Sequence, residues 1–353
     1  MDIDSHITTH DEPATAPVLY EHYHFTVDRR QSTIRIDKYL TTHIEKISRN
    51  RIQAAADAHY IMVNGKPVKP SYQVKPDDEI SIVMPFERRG VEILPEEIPL
   101  TILYEDDVLL VVDKPPNMVV HPGHGNYSGT LLNGLVYYSR QKNEKAFLVH
   151  RIDKDTSGAL AVAKSEEALM FLSNQFSLHT SKRLYMALVW GNLQPDEGTI
   201  TGHIGRDPND RLRFKVMTDE NAGRYAVTHY RVLERFGYVT LIECRLETGR
   251  THQIRVHMNH IGHPLFNDER YGGDAIRKGT IFSKYRQFII NCFEIMPRQA
   301  LHARLLGFVH PATGEEMIFE SPLPDDFAKV LEKWRNYRPS TDEQLIGMTA
   351  NDA

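Results

Sequence analysis

Residues 150–164, HRIDKDTSGALAVAK, decide how this chain is read. The second half, 158–164, is a short apolar run of the kind that forms a buried strand, while the first half packs an imidazole, a guanidinium and carboxylates into a turn. A polar cluster therefore sits where a loop meets the core sheet, and loops held by rigid strands are where chemistry concentrates. Asp153 follows Arg151 by two residues, and a carboxylate held against a guanidinium is available as a nucleophile or base. Such pairs are also common as plain ion pairs, so this one needs a context.

The surrounding sequence supplies it. Strand-like runs at 108–112, 184–190 and 239–246 alternate irregularly with helical patterns such as 166–178 and 325–337. This predicts α+β architecture with a mixed sheet rather than repeated βαβ units. A second dense segment, ETGRTHQIRVH at 247–257, carries Arg250 and Arg255. There Thr251 reads as the N-cap of a helix with Ile254, Met258 and Ile261 as its apolar stripe and Gly262 as its stop. That leaves His252, Arg255 and Asn259 on another face, so Arg255 is expected to point away from the core.

Upstream, Ile36, Leu40 and Ile44 recur at helical spacing, and Ser48 is a good N-cap for a second short helix over 49–58. Strands at 60–63 and 66–68 flank Asn64-Gly65, the dipeptide favoured in two-residue hairpins, and 79–84 supplies another strand. Between residues 28 and 69 nine basic side chains face four acidic ones. Arg35 and Lys38 are expected on one face of the first helix, with Arg49 and Arg51 opening the second, where backbone N–H groups already favour phosphate. The stretch 85–99 turns acidic and Pro-containing, as expected of an exposed linker.

Composition excludes several classes. With 353 residues, 41% hydrophobic and 25% charged, the chain fits one large and one small soluble domain, and its net charge of −5 argues against a uniformly basic protein. Cys244 and Cys292 lie far apart in apolar runs, which fits a reducing compartment and a cytoplasmic location. No apolar run approaches the roughly 18 residues that span a bilayer, and the acidic N-terminus lacks a signal-peptide pattern.

Three rival chemistries are weak. Asp155-Thr156-Ser157-Gly158 matches the aspartic-peptidase signature, but no second Asp-Ser/Thr-Gly occurs, and a charged lead-in replaces the expected apolar strand. His252, His257, His260 and His263 match no metal-ligand spacing, and no cysteine lies nearby. The HPGHG segment at 121–125 is not followed by a Gly-Lys-Ser/Thr, so turn formation explains its glycines better than a phosphate loop.

Taken together, KPPNMVVHPGHGNYSGTLLNGL from Lys114, HRIDKDTSG from His150, KRLYMALVWG from Lys182, IGRDPNDR from Ile204 and ETGRTHQIRVHMNHIGHPLFNDERYGG from Glu247 resemble the ordered motifs of RluA-type pseudouridine synthases. The module at 35–84 resembles the small S-four type RNA-binding domain that precedes the catalytic domain in many members. Polar composition without periodicity marks a disordered leader at 1–17, a linker at 87–99 and a flexible tail at 338–353, and the resemblance implies the S-four type domain at 18–86 and the catalytic domain at 100–337. It also implies an isomerase that converts uridine in RNA to its carbon-linked isomer. Asp153 would be its catalytic aspartate, Tyr185 the aromatic packing on the target base, and Arg255 the basic partner of Asp153. Arg151 would displace the flipped nucleotide, with His150, His252 and Ile254 also at the substrate and Arg35, Lys38, Arg49 and Arg51 on RNA phosphates.

The reaction cleaves, turns and rejoins a base without redox or phosphoryl change, so neither metal nor cofactor is required. The expected partner is structured RNA, most like the branch acting on large-subunit ribosomal RNA or a pre-ribosomal particle, with no membrane and no obligate protein partner. The departures are small: Ile152 stands where Leu is usual, and Asn267 where Gly is usual. A non-catalytic RNA-binding or ribosome-assembly factor is the alternative of a different class.

Overall fold

The structure is a computed structural model, which describes residues 20–29, 31–44, 47–84, 93–123, 125–210, 212–219, 222–280 and 282–338. The expected leader, residues 87–92 of the expected linker, and 339–353 of the expected tail lie outside the described residues. The chain divides into two compact units, Met1–Glu92 and Ile93–Ala353.

The first unit runs β1 (Tyr20–Thr26), β2 (Ile34–Arg35), α1 (Ile36–His43), α2 (Arg49–Asp57), β3 (Ile61–Val63), β4 (Lys66–Pro67), β5 (Gln73–Val74) and β6 (Glu79–Met84). Ile36 and Leu40 of α1 and Ile52 of α2 bury against Ile61 of β3 and Ile80 of β6 in one core. Ser48 caps α2, accepting the Arg51 N–H at 3.4 Å. The hairpin between β3 and β4 turns at Asn64 (φ 50°) and Gly65 (φ 76°), the paired positive values that the dipeptide is suited to adopt. Strand β1, which pairs with β6, went unread in the sequence.

The second unit runs β7 (Thr101–Glu105), β8 (Leu109–Lys114), α3 (Leu131–Gln141), β9 (Phe147–Leu148), β10 (Ser157–Ala163), α4 (Glu166–Ser177), β11 (Lys182–Trp190), β12 (Glu197–Arg206), β13 (Phe214–Met217), β14 (Arg224–Arg235), β15 (Val239–Leu246), α5 (Gln253–His260), a 3-10 turn (Glu269–Tyr271), α6 (Ser283–Ile295), β16 (Leu301–Val309), β17 (Glu316–Glu320) and α7 (Asp325–Asn336). Its eleven strands form one sheet with a main path β13-β12-β14-β15-β11-β16-β10-β8-β7, to which β17 and β9 add at β16 and β10. The sheet is mixed: β10 runs parallel to β16 and antiparallel to β8. On β15, Val239 and Leu241 pack with α6 and α7. The alternate residues Ile242, Cys244 and Leu246 pack with Ile254 and Met258 of α5, which makes a helix–sheet–helix sandwich.

All seven positions of β10 are buried, as its apolar run predicts. Gly158 (φ +121°) is required there, because a Cβ at that position would overlap the Ala303 carbonyl of the parallel neighbour β16. The glycine of the peptidase-like tetrad is thus explained by strand packing.

Two expectations are corrected. Residues 93–99 do not form a free linker: Asn133 donates to the Leu94 carbonyl at 2.8 Å and Gly129 N–H donates to the Glu96 carboxylate at 2.9 Å, fastening the segment to the second unit. Helix α5 begins at Gln253 after His252, which takes the left-handed conformation (φ 54°, ψ 24°), rather than after a Thr251 cap. Arg255 is buried instead of turned to solvent, because its opposite helix face meets carboxylates that helical periodicity cannot reveal.

Candidate active site

Asp153 lies in the loop between β9 and β10, and the loop is clamped from two sides. Lys114, at the end of β8, donates from Nζ to the carbonyls of Pro115, Met118 and Lys154 at 2.7, 2.9 and 2.9 Å. Burial pulls its ammonium down to about 7. Arg298 donates to the Asp155 carbonyl at 3.0 Å while its other nitrogens bind Asp326 at 2.6 and 2.9 Å. Asp153 also closes its own turn, accepting the Thr156 N–H at 3.2 Å. Its backbone is therefore fixed before any ligand arrives.

The Asp153 side chain is 19% exposed and accepts from Arg255 Nη1 at 3.1 Å. The same guanidinium grips the fully buried Asp268 with Nε at 2.7 Å and Nη2 at 2.8 Å. It also lies 5.1 Å from the centre of the Tyr271 ring. Burial pulls Arg255 down, but the bonds and charge of Asp268 and then of Asp153 outweigh it, so its pKa is raised. The two-pronged grip of Asp268 sets the direction of the one remaining N–H edge that reaches Asp153.

His252 Nε2 stands 3.9 Å from the other Asp153 oxygen, and its Nδ1 is 2.9 Å from the Tyr271 hydroxyl. Burial holds this imidazole down at about 4, so it is neutral at pH 7. The Tyr271 oxygen already accepts the Phe214 N–H at 3.2 Å. Tyr271 thereby ties the His252 ring to the Phe214 backbone and fixes the ring edge that faces Asp153.

A cavity of about 510 Å³ opens beside Asp153, with Tyr185 and Ile254 on its wall. Tyr185 sits where the pairing of β11 with β16 shifts register, between Leu184 and Met186, an irregularity of the kind that re-aims a side chain. Burial pushes its phenol upward. A carboxylate with one fixed partner, a neutral imidazole beside it and an apolar, aromatic wall can hold a flat base against a nucleophile.

The family model for RNA pseudouridylate synthase matches residues 108–260, and the S4 domain model matches residues 34–80. An uncharacterised RNA pseudouridine synthase of Chlorobaculum parvum is 46% identical over 317 residues, covering 88% of this chain and 96% of the relative. The chain belongs to the RluA-type RNA pseudouridine synthases. The ribosomal large subunit pseudouridine synthase D of Nitrosomonas europaea is 42% identical, with 88% of this chain and 87% of that protein covered. Among solved structures, human RNA pseudouridylate synthase domain containing 4 shares the fold, with a TM-score of 0.52 at 24% identity over 68% of this chain and 95% of that one.

Within this RluA-type framework the structure brings Asp153, Arg255, His252, Tyr185 and Ile254 to one place, with Arg151 exposed at the cavity rim. His150 also lines the cavity, but its Nε2 is occupied by the Ala161 N–H at 3.0 Å and its ring stacks on Phe176 at 4.3 Å. Burial, aided by the Arg183 charge, pulls its imidazole down to about 3, so His150 acts first as a neutral brace for β10. The other histidines do not gather. His257 bonds Thr228 at 2.9 Å and His263 bonds the Trp190 carbonyl at 2.7 Å. No group of three or more His, Cys, Asp or Glu side chains able to hold a metal occurs among the described residues.

The basic residues of the first unit are arranged differently from their expected helix faces. Arg35 precedes α1 and binds the buried Asp37 through Nε at 3.2 Å and Nη2 at 3.0 Å, and Arg49 binds the same carboxylate through Nε and Nη2, both at 3.1 Å. Lys38 and Arg51 are exposed. Sequence reading missed Lys114, Asp268, Tyr271 and Arg298. The first three lie inside quoted motifs, but their partners are brought by folding; of the four, only Lys114 carried a local signal, a cation closing a buried apolar strand.

Proposed function

We propose that this RNA pseudouridine synthase acts on uridines of large-subunit ribosomal RNA, with Asp153 as the nucleophile on a base extruded from its stack. The observation that carries the reading is Asp153 beside the cavity with one oxygen fixed at 3.1 Å by an arginine that Asp268 holds in place. In the reaction the carboxylate bonds to the nucleoside as the C1′–N1 bond breaks. The uracil turns against the wall of Tyr185 and Ile254, C5 joins C1′ as the bond to the Asp153 oxygen breaks and frees the carboxylate, and the proton leaving C5 balances the one gained at N1. Arg151 at the rim is suited to fill the space the base vacates. Lys38 and Arg51 supply phosphate contacts from the N-terminal module. The name of the Nitrosomonas europaea relative supports the large-subunit target, and two buried free thiols, Cys244 and Cys292, fit a cytoplasmic enzyme of ribosome biogenesis.

The test is to incubate uridine-containing ribosomal RNA with the purified chain and map carbodiimide-dependent reverse-transcription stops. Discrete stops in large-subunit RNA, absent with Asp153→Asn, are expected. Stops confined to other RNAs would remove the target assignment, and no stops in any RNA would reduce the chain to a binder.

A further inference from the structure

Among the described residues, three arginines of the catalytic unit are almost wholly buried: Arg183, Arg255 and Arg298. Two of them have carboxylate partners. Arg255 holds Asp268 and Asp153, and Arg298 holds Asp326. Arg183, 7% exposed, has none among the described residues. It makes one hydrogen bond, from Nη2 to the Glu247 carbonyl at 3.0 Å, and its Nε is buried without a partner. Its guanidinium also lies 5.6 Å from the centre of the Phe176 ring, but a ring face does not neutralise a buried charge, so a site that keeps this cation without a carboxylate is incomplete without an anion.

Arg183 lines the cavity that holds Asp153 and stands two residues before Tyr185 on β11. We propose that Arg183 binds a phosphodiester of the substrate strand, at a linkage adjoining the uridine in the cavity. The proposal rests on the RNA-modifying reading above and names the subsite that orients the strand. Gly249 supports it: a Cβ there would lie 2.9 Å from Arg183 Nη1, so the glycine leaves the guanidinium its place at the cavity wall. Arg151, Arg224 and Arg250 line the same cavity, which makes that mouth electropositive. A keto oxygen of the base would satisfy the N–H but leave the charge uncompensated, whereas each nucleotide linkage brings a full negative charge and two acceptor oxygens. Tyr185 is placed for the base face, which leaves the neighbouring backbone for Arg183.

The experiment uses a short RNA on which the wild-type protein is active, with a neutral methylphosphonate placed at the linkage on the 5′ or the 3′ side of the target uridine. Binding is measured for wild type, R183Q and R183K. Wild type should lose about ten- to hundredfold in affinity at one of the two linkages, the range of a hydrogen bond to a charged group. R183Q should lose the same factor on ordinary RNA and nothing further on the modified one, and R183K should recover part of it. If neither neutral linkage weakens wild-type binding, the proposal is overturned, and this arm does not depend on whether a variant folds. Penalties of variant and linkage that add independently would overturn it too. So would an R183Q that binds normally but shifts the pH profile of turnover, since the guanidinium would then act on the Tyr185 phenol. Failure of the wild type to form pseudouridine in unmodified RNA would instead sink the proposed function.

Discussion

Asp37 in the N-terminal unit and Asp153 in the catalytic unit both meet arginine, but on different terms. Asp37 is fully buried and accepts from Arg35, Arg49 and Gln53, and those bonds hold its carboxyl well below the usual range. Asp153 keeps 19% of its side chain open and shares one arginine with Asp268. A carboxylate whose oxygens are all engaged can only hold a fold together. One whose partner is itself anchored elsewhere keeps lone pairs for chemistry.

The largest effect should come from Asp153→Asn, which keeps the volume and removes the anion proposed as the nucleophile. Turnover should fall by at least about 10⁴-fold with RNA affinity nearly intact. The comparison breaks if Asp37→Asn, assayed on a short substrate, costs as much.

Acid should separate the two units next. Burial holds His150 at about 3 and His252 and His257 at about 4, all in the catalytic unit. Free histidine titrates near 6.5, so the unfolded chain binds more protons in that interval. Stability of the unit is therefore lost as pH falls from about 6.5 to about 4, by up to roughly a thousandfold per pH unit in the folded ratio for three protons. Asp37 has the sign of a depressed carboxylate: its contribution is present above the unfolded value and is lost only as pH falls below about 4. Both tryptophans, Trp190 and Trp334, lie in the catalytic core. Their fluorescence should therefore change at a higher pH than amide-exchange protection of α1. Coincident transitions would refute the distinction.

A smaller loss should follow Asp268→Asn. Without the two-pronged grip, Arg255 wanders and kcat should drop about a hundredfold, as expected of a displaced orienting group, while Kd for RNA stays the same. An equal fall in binding would mean that Asp268 holds the whole site together instead.

The mildest test divides the four basic residues of the first unit. Reversing Arg35 and Arg49 brings carboxylates against Asp37 and should lower the melting midpoint of that unit by roughly 4–8 °C. Reversing Lys38 and Arg51 should leave the midpoint unchanged and reduce the salt slope of RNA binding by roughly 0.7–0.9 for each phosphate no longer neutralised. Identical behaviour of the two pairs would show that all four lie on solvated faces, as their sequence positions suggest.

What the sequence carries well is whatever depends on neighbours along the chain. The apolar run of β10, the Ser48 cap, the Asn64-Gly65 turn and the order of the catalytic motifs are local patterns and were legible. Asn267, noted as standing where Gly is usual, takes φ 57° and ties its amide to the Met296 carbonyl at 2.7 Å, so asparagine replaces glycine where the left-handed region is needed. The Arg255–Asp268 grip, the left-handed His252 and the Lys114 clamp on Lys154, 40 positions away, were not legible, since each depends on a partner that only the fold delivers. Helical periodicity even misdirected Arg255, because it treats a charged face as a wet face.

The parallel pairing of Ser157 with His302 and Gly158 with Ala303 has a consequence for synthesis. Pairings that span so much chain are slow to form, and β10 cannot acquire this neighbour until residues past 301 have left the ribosome. Ser157 further bonds His302 at 3.0 Å, and Arg298 and Gln299 reach the loop just before it. A nascent chain halted before this point would carry every residue of the Asp153 motif without the brace that aims it. The loop that carries Asp153 is thus braced only once β16 has been made, well after its own motif.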